Sequence, residues 1–189
     1  EKEYSNDIDL LISQTKRCSE ILKQISRKQI EEDIFLSSIK FEDLLEEIIN
    51  SFKETSSKEI FLLTDNDQNK IAIQRTPEII YGLRNFIGNA VKFSKSKIKI
   101  NLVSDQNIIE IKVNDDGPGI PEDIINKIGE PYIKSKSKEL NSNSGLGLGT
   151  FLGKTLLERQ NAKLLFKKKG DLGGAQVVIK WDPKNLINS

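Results

Sequence analysis

Apolar or small residues fall at Tyr4, Ile8, Leu11, Thr15, Cys18, Leu22 and Ile25, alternately four and three apart, and Ile12 and Ile21 widen the stripe. This is the a/d seam of a coiled coil or helix bundle. One helix cannot bury such a seam alone, so its cover is either the rest of the domain or a partner helix, from an upstream segment or a second chain. The polar run Arg27, Lys28, Gln29, Glu31, Glu32, Asp33 predicts a solvated helix end or linker. Residues 1–36 are therefore set apart from a domain over 37–189.

From Ile39 the pattern mixes. Residues 39–41 predict a short strand, 42–53 a helix, and 60–63 and 71–74 strands around the turn-prone Asp65, Asn66 and Asp67. Thr76 and Pro77 form a helix N-cap and first-turn pair, followed by Ile80, Leu83, Ile87 and Val91 at helical spacing. Strands over 98–103 and 108–113 flank a turn around Asp105 and Asn107. Pro121 opens a short helix through Ile128. The run KSKSKELNSNS over 134–144 holds one apolar residue and predicts a flexible loop. A helix over 148–159 stops near Asn161, which tolerates a left-handed C-cap, and strands over 164–168 and 175–181 close the domain. The order, with its hairpin-length turns, predicts an α+β two-layer sandwich with helices on one face of a largely antiparallel sheet.

Composition narrows the chemistry. The 189 residues, 37% hydrophobic and 30% charged, suit one ordinary folded domain with a short appendage. With 29 basic and 28 acidic residues the net charge is +1, which gives no global case for nucleic acid or an anionic membrane. Any phosphate chemistry must be local. Apolar runs fall far short of the roughly 18 residues of a membrane span, and residue 1 opens no signal-peptide pattern. Met is 0, so the expectation is a piece of a longer protein or a processed product. His is 0, which excludes His-based acid-base catalysis, His metal sites and His-containing nucleophilic triads in these residues. The single Cys18 excludes internal disulfides and Cys-cluster metal sites, which suits a reducing compartment.

Candidate chemistry sits at two glycine clusters and one helix face. Val113, Asn114, Asp115, Asp116, Gly117, Pro118, Gly119, Ile120 follow a strand. Gly117 and Gly119 let the backbone approach a flat ligand, and Asp115 offers an acceptor for an adenine amino hydrogen; an ordinary Asp-Gly, Pro-Gly turn is the other reading. Ser144, Gly145, Leu146, Gly147, Leu148, Gly149 open a helix, where backbone N–H groups and the helix dipole accommodate phosphates. The cluster lacks the GxGxxG spacing of a dinucleotide fold. Gly153, Lys154, Thr155 imitate the end of a P-loop, but Leu148 stands where its first glycine belongs, so Lys154 reads as a solvated helix residue. Asn85 and Asn89 share a helix face, with Lys92 a turn further on. A neutral amide oxygen there completes a magnesium shell shared with phosphate oxygens, and Lys92 offsets phosphate charge.

The order NFIGNAVKFS, DDGPGI, EPYIKSK, SGLGLGTFLGKTLLE resembles the N, G1, F and G2 boxes of the sensor histidine kinase catalytic domain, of the Bergerat or GHKL ATP-binding fold. The likeness covers roughly residues 37–183 and includes a terminal Gly173, Gly174, Ala175. It implies a two-layer α/β sandwich binding Mg-ATP under a mobile lid. By resemblance Asn89 would hold magnesium, Asp115 adenine, Gly117 and Gly119 the base, and Gly145, Gly147 and Gly149 the phosphates, with Asn85, Leu146 and Leu148 beside them. Tyr132, Lys134 and Lys136 belong to the lid box, where Lys134, Lys136 and Lys138 would add phosphate contacts. Thr150 and Gly153 depart from the larger or helix-favouring residues usual in the family, a departure expected to loosen the start of that helix.

A narrower resemblance links RCSEIL, GEPYIKSK and FLGKTLLER to RegB/PrrB-type redox-responsive kinases, in which a cysteine of the second dimerisation helix is implicated in redox control. Cys18 holds that place; a buried structural thiol is the alternative. The family's phosphoacceptor histidine lies on the helix before the one that would open this chain. The resemblance thus implies no catalytic histidine here, ATP and Mg2+ as cofactors, a homodimer through the N-terminal helix, and a response regulator as partner. It further implies a cytoplasmic fragment whose parent is anchored in the inner membrane through an upstream segment. A hydrolytic GHKL ATPase and a non-catalytic nucleotide-sensing or dimerisation module are the rivals.

Overall fold

The computed structural model describes residues 38–65, 71–133 and 148–187. The N-terminal seam with Cys18, and the lid run with Lys134, Lys136, Lys138, Gly145, Leu146 and Gly147, lie outside the described residues.

Strand β1 (Ser38–Lys40) leads directly into helix α1 (Phe41–Lys53), whose Phe41, Leu44, Leu45, Ile48 and Ile49 are buried at helical spacing. Glu42 and Asp43 in its first turn and Lys53 in its last suit the helix dipole. Strands β2 (Glu59–Thr64) and β3 (Ala72–Gln74) follow, then helix α2 (Pro77–Phe93). Here the capping expectation is met: the Thr76 hydroxyl accepts from the Ile79 N–H at 3.3 Å, and Pro77 opens the first turn. Strands β4 (Lys97–Ser104) and β5 (Ile109–Asp115), helix α3 (Leu148–Arg159), strands β6 (Lys163–Lys167) and β7 (Gln176–Trp181), and the short helix α4 (Lys184–Ile187) complete the order. Asn161 takes the left-handed φ of 60° expected of it.

The main sheet runs β2-β4-β5-β7-β6. Its β2–β4 pair is parallel and its other three pairs antiparallel, so the sheet is mixed and mostly antiparallel. Ile60, Ile98, Ile100, Ile111, Val113 and Ile179 face a core shared with α1, α2 and α3, closed by Phe41 against Trp181 at 5.6 Å between ring centroids. On the opposite face Phe61 is 49% and Leu165 53% exposed. Glu110 there bridges Lys112 Nζ at 2.8 Å and Lys180 Nζ at 2.5 Å. Burial pushes its pKa up, but these two ammonium groups outweigh burial and hold it below the usual value.

Three expectations need correction. β2 and β3 do not form a hairpin: β3 pairs antiparallel with β1 in a separate two-stranded sheet, and β2 joins β4 across the intervening helix. The buried face of α2 is Ile79, Leu83, Phe86, Ile87 and Ala90, whereas Ile80 and Val91 lie at its partly buried margin. The helix expected over 121–128 is a single 3-10 turn, Ile125–Lys127, preceded by a turn in which Ile124 N and Ile125 N both donate to Pro121 O. Ile128 is already extended and Gly129 takes a left-handed φ of 91°, so the chain leaves helical geometry directly after Lys127.

Candidate functional site

Asp115 ends β5 as a nearly buried carboxylate, 5% exposed. Its Oδ1 accepts from Gly117 N at 2.8 Å and Ala175 N at 3.1 Å, while its own N–H donates to Ala175 O and its carbonyl accepts from Gly174 N. Burial drives its pKa up, the two backbone N–H groups pull it down, and the neighbouring Asp116 adds to the rise; the net displacement is upward.

The glycines around Asp115 are explained by protein rather than by open space. A Cβ on Gly117 would stand 2.3 Å from the Phe93 carbonyl oxygen, and one on Gly174 would stand 2.2 Å from Asp115 Oδ1. Gly119, with φ 82°, presses against the Lys168 carbonyl. The close approach seen at Gly117 and Gly119 is therefore to the chain itself.

Asp116, one residue on, closes the α2–β4 corner. Its carboxylate accepts from Lys95 N at 2.8 Å, from Ser96 N at 3.0 Å and from the Ser96 hydroxyl at 2.8 Å. Slight burial opposes ionisation, but these donors outweigh it and hold the carboxyl well below the ordinary aspartate range. Lys58 Nζ donates to the Ser94 carbonyl at 2.8 Å from the other side. The sequence reading singled out Asp115 and gave Asp116 no role.

Asn85 and Asn89 lie half-buried on α2, facing the start of α3. Asn85 Nδ2 donates to Tyr81 O on its own helix at 2.8 Å. Asn89 Nδ2 reaches across to the Thr150 hydroxyl at 3.2 Å. A Cβ on Gly149 would lie 3.4 Å from Asn85 Oδ1 and 3.8 Å from Asn89 Oδ1, so both amide oxygens converge on the first turn of α3, where Leu148 is also half-buried. Lys92 is exposed, its Nζ 5.4 Å from the Phe93 ring centroid. Tyr132 is 70% exposed, with a left-handed φ of 61°, and is not gathered into this group.

α3 does not loosen at its departures from expectation; it runs unbroken from Leu148 to Arg159. Gly153 is buried where α3 meets α2, and its missing side chain admits the Asn85 Cβ and the Phe86 ring, each 3.0 Å from where a Cβ would stand. Gly82 answers from α2, its Cβ position lying 2.5 Å from Leu157 Cγ. Facing glycines allow a close helix crossing, and that crossing presents Gly149 and Thr150 to the two asparagines. Thr150 is a site residue the sequence did not reveal. Lys154 is not simply solvated: it packs over Gly129 and its Nζ lies 3.9 Å from Glu158.

Among the described residues no group of three or more Asp, Glu, Cys or His side chains could cage a metal. The converging amide oxygens of Asn85 and Asn89 are neutral oxygen donors of the kind a hard cation accepts. Also among the described residues, no helix is long and apolar enough to cross a membrane.

Residues 74–185 match the profile of the histidine kinase-, DNA gyrase B-, and HSP90-like ATPases. Sensor histidine kinase RegB of Cereibacter sphaeroides is 32% identical over 174 residues, which cover 88% of this chain and 37% of that protein. The chain thus spans little more than a third of that relative. Among solved structures, the catalytic domain of histidine kinase ThkA superposes with a TM-score of 0.63 at 23% identity, covering 79% of this chain and 97% of that one. The ATP binding domain of PrrB from Mycobacterium tuberculosis superposes at 0.57 with 21% identity, covering 75% and 92%.

Proposed function

Because this chain belongs to the histidine kinase-, DNA gyrase B-, and HSP90-like ATPase family, we propose that it is the ATP-binding catalytic part of a two-component sensor histidine kinase of the RegB type. It would position Mg-ATP for transfer of the γ-phosphoryl group to a histidine on an upstream helix, and the phosphoryl group would pass to an aspartate of a response regulator. The observation that carries this reading is the convergence of the Asn85 and Asn89 amide oxygens on the first turn of α3. Phosphoryl transfer demands chiefly positioning and charge neutralisation, which such groups supply.

In this reading Asn89 Oδ1 would hold a magnesium ion, which would supply positive charge to offset that of the phosphates. Lys92, Lys134, Lys136 and Lys138 would screen the phosphates, and Gly145, Gly147 and Gly149 would lend them backbone N–H groups. Asp115 accepts from the adenine amino group through Oδ2, since Oδ1 is committed to Gly117 and Ala175. Gly117, Gly119 and Tyr132 border the base and lid. A hydrolytic ATPase needs a base toward water, and the neutral amide of Asn85 cannot serve as one.

Residues 1–36 would form the second helix of a dimerisation and phosphotransfer domain, pairing two copies through the seam that contains Cys18, with residues 37–189 as the ATP-binding domain. The parent would be anchored in the membrane upstream and carry this part in the cytoplasm. The test is a titration of ATP with and without magnesium in wild type and Asn89→Ala, followed by incubation with a histidine-bearing helical hairpin from a RegB-type kinase. The expected result is a magnesium-dependent gain in affinity that Asn89→Ala removes, and acid-labile phosphate on the hairpin but not on the chain itself. Equal affinities in all four titrations, or no transfer to the hairpin at saturating ATP, would refute the reading.

A further inference from the structure

We infer that Thr150 is a positioning residue for Asn89: its hydroxyl ties the Asn89 amide to the first turn of α3 and so holds the side chain where its oxygen reaches the metal. This rests on the proposed assignment of Asn89 to magnesium. A carboxamide has two ends of nearly equal size and opposite polarity, and a half-turn about its terminal torsion exchanges an acceptor for two donors. Only the Oδ1 end can ligate a cation, so an Asn free to swing away from α3 as well as to turn over spends much of its time where it cannot hold the ion.

The two asparagines of α2 meet this problem differently. Asn85 has its Nδ2 held by the Tyr81 carbonyl one turn earlier on the same helix, at 2.8 Å. Asn89 has its Nδ2 held from another element, by Thr150 Oγ1 at 3.2 Å. With Nδ2 so engaged, Oδ1 turns toward the first turn of α3, 3.8 Å from the Gly149 Cβ position. The close crossing made by Gly82 and Gly153 keeps the Thr150 hydroxyl within reach. Partners that orient a metal ligand without touching the metal commonly govern metal affinity by about tenfold or more.

The experiment compares ATP affinity in EDTA and in magnesium for wild type, Thr150→Val and Thr150→Ser. Valine keeps the shape and removes the acceptor; serine keeps the acceptor. The magnesium gain should fall about tenfold in Thr150→Val, with affinity in EDTA unchanged, and should persist in Thr150→Ser. Affinity in EDTA should be the same in wild type and in every Thr150 variant, an outcome that a merely structural role would not produce, since a distorted site would weaken ATP with or without the metal. Thr150→Ala is read in the same way, so that a folding defect of the valine variant does not decide the matter. If wild type shows the gain and both acceptor-free variants keep it, the inference falls while the magnesium assignment stands. If wild type shows no gain, the magnesium assignment itself falls and takes the inference with it.

Discussion

The two halves of the candidate site are built by different means. Around Asp115 the walls are backbone: N–H groups of Gly117 and Ala175 converge on one carboxylate oxygen, and Gly117 and Gly174 have no space for a side chain. Around Asn89 the walls are side chains on two helices, half-buried and tied by single hydrogen bonds to Tyr81 and Thr150. A backbone-built corner tolerates almost no change at its glycines but keeps its shape when the central side chain is altered conservatively. A side-chain-built corner is the reverse, since its elements keep their place while its chemistry is retuned by one hydroxyl.

The largest effect expected of this contrast is at the backbone corner. Gly174→Ala and Gly117→Ala should each destabilise the fold by about 3 kcal/mol, the upper end of overpacking costs, because the nearest atoms include backbone that cannot swing aside. Denaturant unfolding checks this, and wild-type stability in either variant would break the contrast. Gly82→Ala should cost less, about 1 to 2 kcal/mol, because its obstacle is the Leu157 side chain, which can shift. A shift of that side chain should also widen the α2–α3 crossing and weaken magnesium-dependent ATP binding, as a parallel titration would show.

Asp116→Ala removes the acceptor for two backbone N–H groups and a hydroxyl, and should cost about 1 kcal/mol at neutral pH. Because the folded-state pKa of Asp116 lies below its unfolded value, this stability is present above about pH 4 and is lost as pH falls through the unfolded and then the folded pKa. The variant should therefore lose less stability than wild type on acidification below that pH. Asp115 has the opposite sign: its folded pKa is raised, so the penalty for its buried charge appears as pH rises through that pKa. Asp115→Asn keeps an Oδ1 that can accept from Gly117 and Ala175 while removing the charge, so its melting temperature at pH 7 should equal or exceed that of wild type. Its ATP affinity should nevertheless fall. A clear loss of stability would show that the charge itself holds the corner. The smallest effect should be at exposed Lys92, where alanine should weaken ATP about twofold to fivefold and leave folding untouched.

Local signals were legible in the sequence, and distant pairings were not. The Thr76-Pro77 start of α2, the span of α3 and the left-handed Asn161 follow from rules that act within a few residues, and all appear in the structure. The partners of β2 and β3 depend on contacts made across a whole helix, which hydrophobic alternation does not encode. The glycine runs were read as room for a flat ligand, whereas the neighbour that Gly117 meets in the structure is the Phe93 carbonyl, set by the fold. Thr150 was visible only as an odd residue in a familiar run. Its use emerges once Gly82 and Gly153 bring α3 against α2, a fact of tertiary packing.

The parallel β2–β4 pair has a consequence for assembly. A chain cannot place two parallel strands side by side without a crossover over one face of the sheet, and the handedness of that crossover is nearly always fixed. Here the crossover carries α2, the helix that bears Asn85 and Asn89. Zipping the edge strand onto the sheet and seating the asparagines are therefore expected to be coupled in folding. Edge-strand amides and α2 amides should consequently lose hydrogen-exchange protection together, in a single cooperative opening.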